Sequence, residues 1–258
     1  MPFFILCGTE MNPMRTNIFH IAGRLILQIV RDRRTLALIL VVPVVVMTLI
    51  WLSFPKNQGT LDYTAPALLA ALALFFGFLL TGISFLRERS SGTLERLMAS
   101  PVTKKDIVLG YLLGFFIFAL AQTLIIVLFT IYALNVHYQG GLWQIFIFQI
   151  IVLVGAINLG IFISAFARNE FQMVQFIPLI ILPQIFLCGV LWPVEQMNTA
   201  LQWIAKFLPL TYAVRGLRDI MLQGKSLGDV WFELLILAAF AVGISIITAL
   251  SIRRSIRG

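Results

Sequence analysis

The stretch Thr64–Asp106 reads TAPALLAALALFFGFLLTGISFLRERSSGTLERLMASPVTKKD. Its first 23 residues carry no charge, and the next twenty carry eight. A bilayer core of about 30 Å is crossed by about 20 apolar helical residues. A charge at its centre costs about 2.5–3.5 kcal/mol or more. An uncharged run of this length that stops at Arg87-Glu88-Arg89 therefore reads as a spanning helix leaving the membrane.

Five more runs follow the same rule. With Thr64–Leu86, the expected spans are Leu36–Phe54, Ile107–Leu134, Leu142–Ala167, Met173–Trp192 and Val230–Ile252. The 258 residues are 60% hydrophobic and 12% charged, with mean hydropathy +0.98. Soluble domains carry about 25% charged residues. The fold class is thus an all-α polytopic membrane protein of six spans, with one membrane domain over residues 16–258. Residues 1–15 form an N-terminal extension, read as disordered, and Met11 or Met14 is a possible true start. The run Pro2–Cys7 is too short for a signal h-region and lacks a basic n-region.

The net charge of +8 does not point to nucleic acid. All but five of the 19 Lys and Arg residues lie in the N-terminal segment, in alternate breaks between spans and in the tail. That is the cytoplasmic bias of membrane proteins, and it places both termini in the cytoplasm of a cell-membrane protein. The exceptions are Lys56 and, between Pro193 and Asp229, Lys206, Arg215, Arg218 and Lys225. This last segment should be external, yet it is largely apolar. It reads as re-entrant helices dipping into the outer leaflet, which is tolerated where protein or water covers the backbone.

Asn17–Arg34 is amphipathic. Asn17, His20, Arg24, Gln28 and Arg31 form a polar stripe, and Ile18, Ile21, Ala22, Leu25, Ile26 and Ile29 fill the other face. Such a helix lies in the headgroup plane with its apolar face down; an ordinary cytosolic helix is the alternative. In the break from Arg87 to Asp106, Thr93 is the expected N-cap of a short helix that ends at Ser100-Pro101. Thr103 and Asp106 form a capping box for the third span. A solvated connector remains the other reading of this break.

The segment resembles the loop after the second span in permeases of the type-2 exporter class of ABC transporters. The resemblance rests on Arg87-Glu88-Arg89, Gly92-Thr93-Leu94-Glu95-Arg96-Leu97 and Ala99-Ser100-Pro101-Val102. A second region resembles that family's external segment: Gly189-Val190-Leu191-Trp192-Pro193, Leu201-Gln202-Trp203-Ile204 and Leu208-Pro209-Leu210-Thr211-Tyr212-Ala213. One departure is Asn198 after Met197, where similar proteins often carry a proline shortly after the Met.

The resemblance implies a half-transporter that pairs with a second permease copy, identical or related, and with a separate ABC ATPase subunit. It implies that Glu88, Arg89, Gly92, Thr93, Glu95 and Arg96 lie at the ATPase-coupling region, and Pro193, Pro209 and Tyr212 at an external gate. ATP and Mg are expected on the partner, with no cofactor on this chain. The implied cargo is a hydrophobic, lipid-like or glycan substrate moved out of the cytoplasm.

The residues themselves agree with an external energy source. Gly224-Lys225-Ser226 looks like the end of a phosphate-binding loop, but Asp219 stands where its first glycine belongs and no buried strand precedes it. It reads as a turn. No charge sits in mid-span, where proton- or sodium-coupled carriers commonly place one. Gln122, Thr123, Asn158 and Gln184, with Gln175 and Thr248, lie at depth. They line a pathway or hydrogen-bond between helices. Gly77, Gly82, Gly155 and Gly160 read as close-contact positions. Cys7, Cys188, His20 and His137 are too scattered for a metal or disulfide framework and offer no nucleophile–base pair. A self-sufficient carrier, an intramembrane enzyme acting on lipid and a non-transporting regulatory subunit of an ABC complex are the rival functions.

Overall fold

The computed structural model describes residues 13–53, 60–99, 102–190 and 192–255. Most of the N-terminal extension, Ser100-Pro101 and Leu191 lie outside the described residues, as do the side chains of Leu94, Glu95 and Met98. The described chain is helical, with no strand. Its helices are α1 (Pro13–Arg31), α2 (Arg33–Ser53), α3 (Thr60–Ser90), α4 (Thr93–Met98), α5 (Lys104–Leu128), α6 (Leu142–Ser164), α7 (Glu170–Leu187), α8 (Thr199–Ala205), α9 (Pro209–Gln223) and α10 (Trp231–Ser255). A π-helical turn, Phe129–Ala133, extends α5. A 3₁₀ turn, Val194–Gln196, precedes α8.

Five helices among the described residues are long and apolar enough to cross a membrane: α3, α5 with its π turn, α6, α7 and α10. In α2 the apolar stretch is the shorter Ile39–Ser53. The fifth expected span ends early: α7 stops at Leu187, because Gly189 turns the chain at φ +89°, a conformation that favours glycine.

The centre is the packing of α3 on α6. Small residues set its closeness. A Cβ on Gly77 would meet Ala156 Cβ at 3.0 Å, and Gly160 sits against Thr81 and the Phe78 carbonyl. Two polar contacts bind these helices. Gln149 Nε2 donates to the Leu69 carbonyl at 3.1 Å, and Thr81 Oγ1 approaches the Ile157 carbonyl at 3.4 Å. In an apolar medium such bonds are worth about 0.6–2 kcal/mol each. Gly155 departs from the expectation, having only ordinary contact with Phe240 at 3.5 Å.

A second cluster joins α1 to α5. Ile21, Ala22, Leu25 and Ile29 are buried, and they are the apolar face seen in the sequence. Ile21 sits over Gly110 and Leu25 over Gly114, where an added Cβ would come within 2.7 and 2.8 Å. The apolar face therefore packs on the chain's own α5 instead of being free to point into lipid. Phe19 and Leu27 are left exposed.

Between α7 and α10 the expected external helices are α8 and α9. A crossing helix needs about 20 residues; these have seven and fifteen. One face of α9 is buried through Ala213, Val214, Leu217 and Ile220, and Gly216 admits the Phe148 ring of α6. The helix ends at Gly224, φ +66°. The Lys225 ammonium donates to Asp219 at 2.9 Å, which holds it above its usual range. Asp229 caps Ser226 through its backbone N–H at 2.9 Å. The apparent phosphate loop is a helix terminus.

Candidate functional site

Three consecutive residues of α3 dominate the basic end of the bundle. Successive helical residues point about 100° apart, so Arg87, Glu88 and Arg89 reach three different neighbours. Arg87 forks onto Glu170 at the start of α7, with Nε–Oε1 2.6 Å and Nη2–Oε2 3.0 Å. It also meets Asp32, between α1 and α2, at 3.2 Å. Arg89 donates to the Ala165 and Ala167 carbonyls at 3.1 and 2.7 Å. There a cation meets the negative end of the α6 dipole.

Glu88 turns inward and is 2% exposed. Its Oε2 accepts from the Tyr111 hydroxyl at 2.7 Å and from Arg24 Nη2 at 2.9 Å. Arg24 Nη2 also donates to the Tyr111 oxygen at 2.8 Å. The triangle links α1, α3 and α5. A buried carboxylate survives only when charge and hydrogen bonds compensate its desolvation, and here both are present.

Directly after this clamp, Gly92 at φ +70° turns the chain into α4. Ser91 and Thr93 hydroxyls lie 2.9 Å apart. The expected short helix forms. Thr93 is its first helical residue and not the cap: the Gly92 carbonyl accepts from Arg96 N–H at 3.1 Å. Arg96 is exposed, and Leu97 packs on the α1–α5 cluster. The Thr103–Asp106 capping box forms as read, with bonds of 3.2 and 3.3 Å.

At the other end, Pro193 precedes the 3₁₀ turn and Pro209 is the first residue of α9. Pro209 faces inward with Leu74 and Leu237. Tyr212, one turn on, is half-buried, its hydroxyl donating to the Lys206 carbonyl at 2.8 Å and its ring edge-on to Phe232. Val194, Glu195, Lys206, Tyr212 and Arg215 border a small cavity of about 50 Å³.

The ABC-2 type transporter family matches residues 16–222. The chain belongs to this family. Relatives include ABC transporter G family member 20 of Dictyostelium discoideum, 29% identical over 76% of this chain and 27% of that protein. The probable multidrug ABC transporter permease YbhS of Escherichia coli is 25% identical over 63% of this chain and 43% of its own. The linearmycin resistance permease protein LnrN of Bacillus subtilis is 28% identical over 61% and 41%. The chain spans less than half the length of each of these relatives. It is a multi-pass membrane protein of the ABC permease type.

In this ABC-2 chain the residues expected at the coupling region share one junction, from Glu88 through Arg96. Glu88 faces the interior, while Arg96 is presented outward. The depth residues are spread over three helices. Gln122 and Thr123 lie on α5, Asn158 on α6 and Gln184 on α7, and all four are buried. Asn158 and Gln184 donate to their own helices, at Val154 and Ile180. Gln122 Nε2 and Thr123 Oγ1 have no partner among the described residues. The helix-to-helix hydrogen bonds belong instead to Gln149 and Thr81, which sequence reasoning missed. It also missed the roles of Arg24 and Tyr111. Arg218 was noted only as a misplaced positive charge. It donates to the Gly189 carbonyl at 2.8 Å and stacks 4.0 Å over the Tyr63 ring. Among the described residues no group of His, Cys, Asp and Glu could hold a metal.

Proposed function

We propose that this chain is the transmembrane half-subunit of an ATP-driven exporter in the cell membrane. On this reading it crosses six times, α2 being the first crossing, with both ends in the cytoplasm and with α8 and α9 re-entrant from the outside. A second permease copy completes the pathway. A separate ATPase carries ATP and Mg and docks at the basic end, against α4 and its surroundings. The cargo is a hydrophobic, lipid-like or glycan molecule, the class that apolar walls can pass.

The observation that carries this reading is the Arg87–Arg89 clamp beside α4. A short surface helix is joined through one glycine turn to three residues that grip α1, α5, α6 and α7. A push on α4 would therefore be delivered to most of the bundle. Glu88 acts from inside as a positioning residue, and Glu95 and Arg96 make the outer contact. ATP-driven closure of the partners moves the junction, and the two halves rock open outward. The absence of a mid-span charge in the sequence supports energy arriving from a partner.

The test is co-expression with candidate ABC ATPase subunits from the same genome. Glu95→Arg is expected to lose co-elution, or to leave ATP hydrolysis unresponsive to the permease, while the protein still inserts. Unchanged association together with unchanged transport would sink the coupling role.

A further inference from the structure

A groove of about 490 Å³ opens sideways between α1, α5, α6 and α10, away from the clamp. Its size falls within the roughly 300–1,000 Å³ of small-molecule sites. Ile18, Leu113, Phe116 and Ile157 form its walls, with Asn158 and Ser245 as the polar members. Both polar side chains use a donor within their own helix, and the Asn158 amide keeps one N–H and its oxygen. Asn158 Nδ2 donates to the Val154 carbonyl at 2.9 Å, and Ser245 Oγ to the Ala241 carbonyl at 2.7 Å. Apart from that amide, the surface presented is mainly hydrocarbon.

Charge is concentrated at one end of the helices that build it. Arg15 lies in the first turn of α1, Lys104 and Lys105 open α5, and Arg253 and Arg254 fall in the last turn of α10. The groove residue Leu109 is about 6 Å along α5 from Lys105, and Ser245 is about 12 Å along α10 from Arg253, at 1.5 Å rise per residue. Asp106, the carboxylate nearest in sequence, is buried and accepts from Thr103 N–H.

We infer that the groove is a binding site for an anionic phospholipid. An acyl chain fills the apolar trough and the phosphate headgroup sits among the basic helix ends. Basic clusters at the ends of membrane helices attract anionic headgroups, and an apolar trough a few ångströms beyond is the geometry a phospholipid fits. The inference stands apart from the export reading, since it asks only for a lipid-facing groove with a basic end.

The full-length protein in nanodiscs of phosphatidylcholine with a minor fraction of phosphatidylglycerol tests it. A phosphatidylglycerol probe with a photoreactive acyl chain is expected to label the peptides holding Leu109–Phe116 and Val154–Asn158. Unlabelled phosphatidylglycerol should compete and phosphatidylcholine should not. Lys104→Gln and Lys105→Gln should each weaken that labelling roughly fivefold, with labelling by the matching phosphatidylcholine probe unchanged. Equal labelling by both probes would overturn the proposal. So would label spread evenly over the exposed face of α7, or efficient cross-linking of two copies through Leu109→Cys, which would make the groove a protein interface.

Discussion

The two ends of this bundle are held by different physics. At the basic end, three consecutive side chains of α3 tie five helices with charged hydrogen bonds of 2.6–3.2 Å. At the aromatic end the ties are spread along α8 and α9: Tyr212 on the Lys206 carbonyl and Phe232, Arg215 on Glu195 at 3.3 Å, and Arg218 on the Gly189 carbonyl and the Tyr63 ring. Trp192, Trp203 and Phe207 stand exposed there, as aromatic residues do at a membrane interface. Charged networks have narrow geometric tolerance, whereas ring contacts slide. On the exporter reading, the shared network of the first end would transmit a displacement, and the scattered contacts of the second would yield to it.

The largest break in this contrast should come from Arg24→Ala. It leaves Glu88, 2% exposed, without its cation. Stranding a buried charge costs about 3–5 kcal/mol; partial exposure of Arg24 places this case near the lower figure. We expect a large fall in the melting temperature of the detergent-purified protein and loss of partner-stimulated transport. Arg24→Lys should recover part of the stability, because it restores charge without the guanidinium fork. If Arg24→Ala melts with the parent, the triangle is not what stiffens the basic end.

The next effect in size concerns how α1 is seated. Gly114→Leu drives a side chain into Leu25 and the Ala22 carbonyl. Overpacking costs about 1–3 kcal/mol. Because α1 carries Arg24, the substitution should also loosen the clamp. The two variants together should then cost less than their separate effects added. Full additivity in this double-mutant cycle would mean that α1 seating and the triangle act independently.

The same two sites show what could be read from the chain. The bundle was legible because a bilayer forces uncharged runs of helical length: α3 covers its expected span, and α5 with its π turn, α6 and α10 match theirs to within a few residues. The clamp was half legible. Arg87-Glu88-Arg89 stood out as an abrupt polar stop, but Arg24 is one member of a polar stripe, 64 residues from Glu88. Nothing local says that it folds inward. The apolar face of α1 was read correctly and its partner was not. Lipid and α5 reward the same residues, and only Gly110 and Gly114, lost among other small residues in an apolar run, decide between them. At the aromatic end the resemblance grouped Pro209 and Tyr212, and the two lie one turn apart on α9, Pro209 buried and Tyr212 half-buried.

The smallest effect should be at that aromatic end, and its smallness is the point. Tyr212→Phe removes one hydroxyl whose partner, the Lys206 carbonyl, belongs to an exposed neighbourhood. Water can replace the lost donor there, so the cost should be about 0.5–1.5 kcal/mol, with the ring contact to Phe232 retained. If this end yields during transport, the variant should melt within a few degrees of the parent yet alter the transport rate. The Arg24 and Gly114 variants would instead lower rate and stability together. A Tyr212→Phe protein as destabilised as Arg24→Ala would erase the contrast, because the aromatic end would then be as rigidly fixed as the basic one.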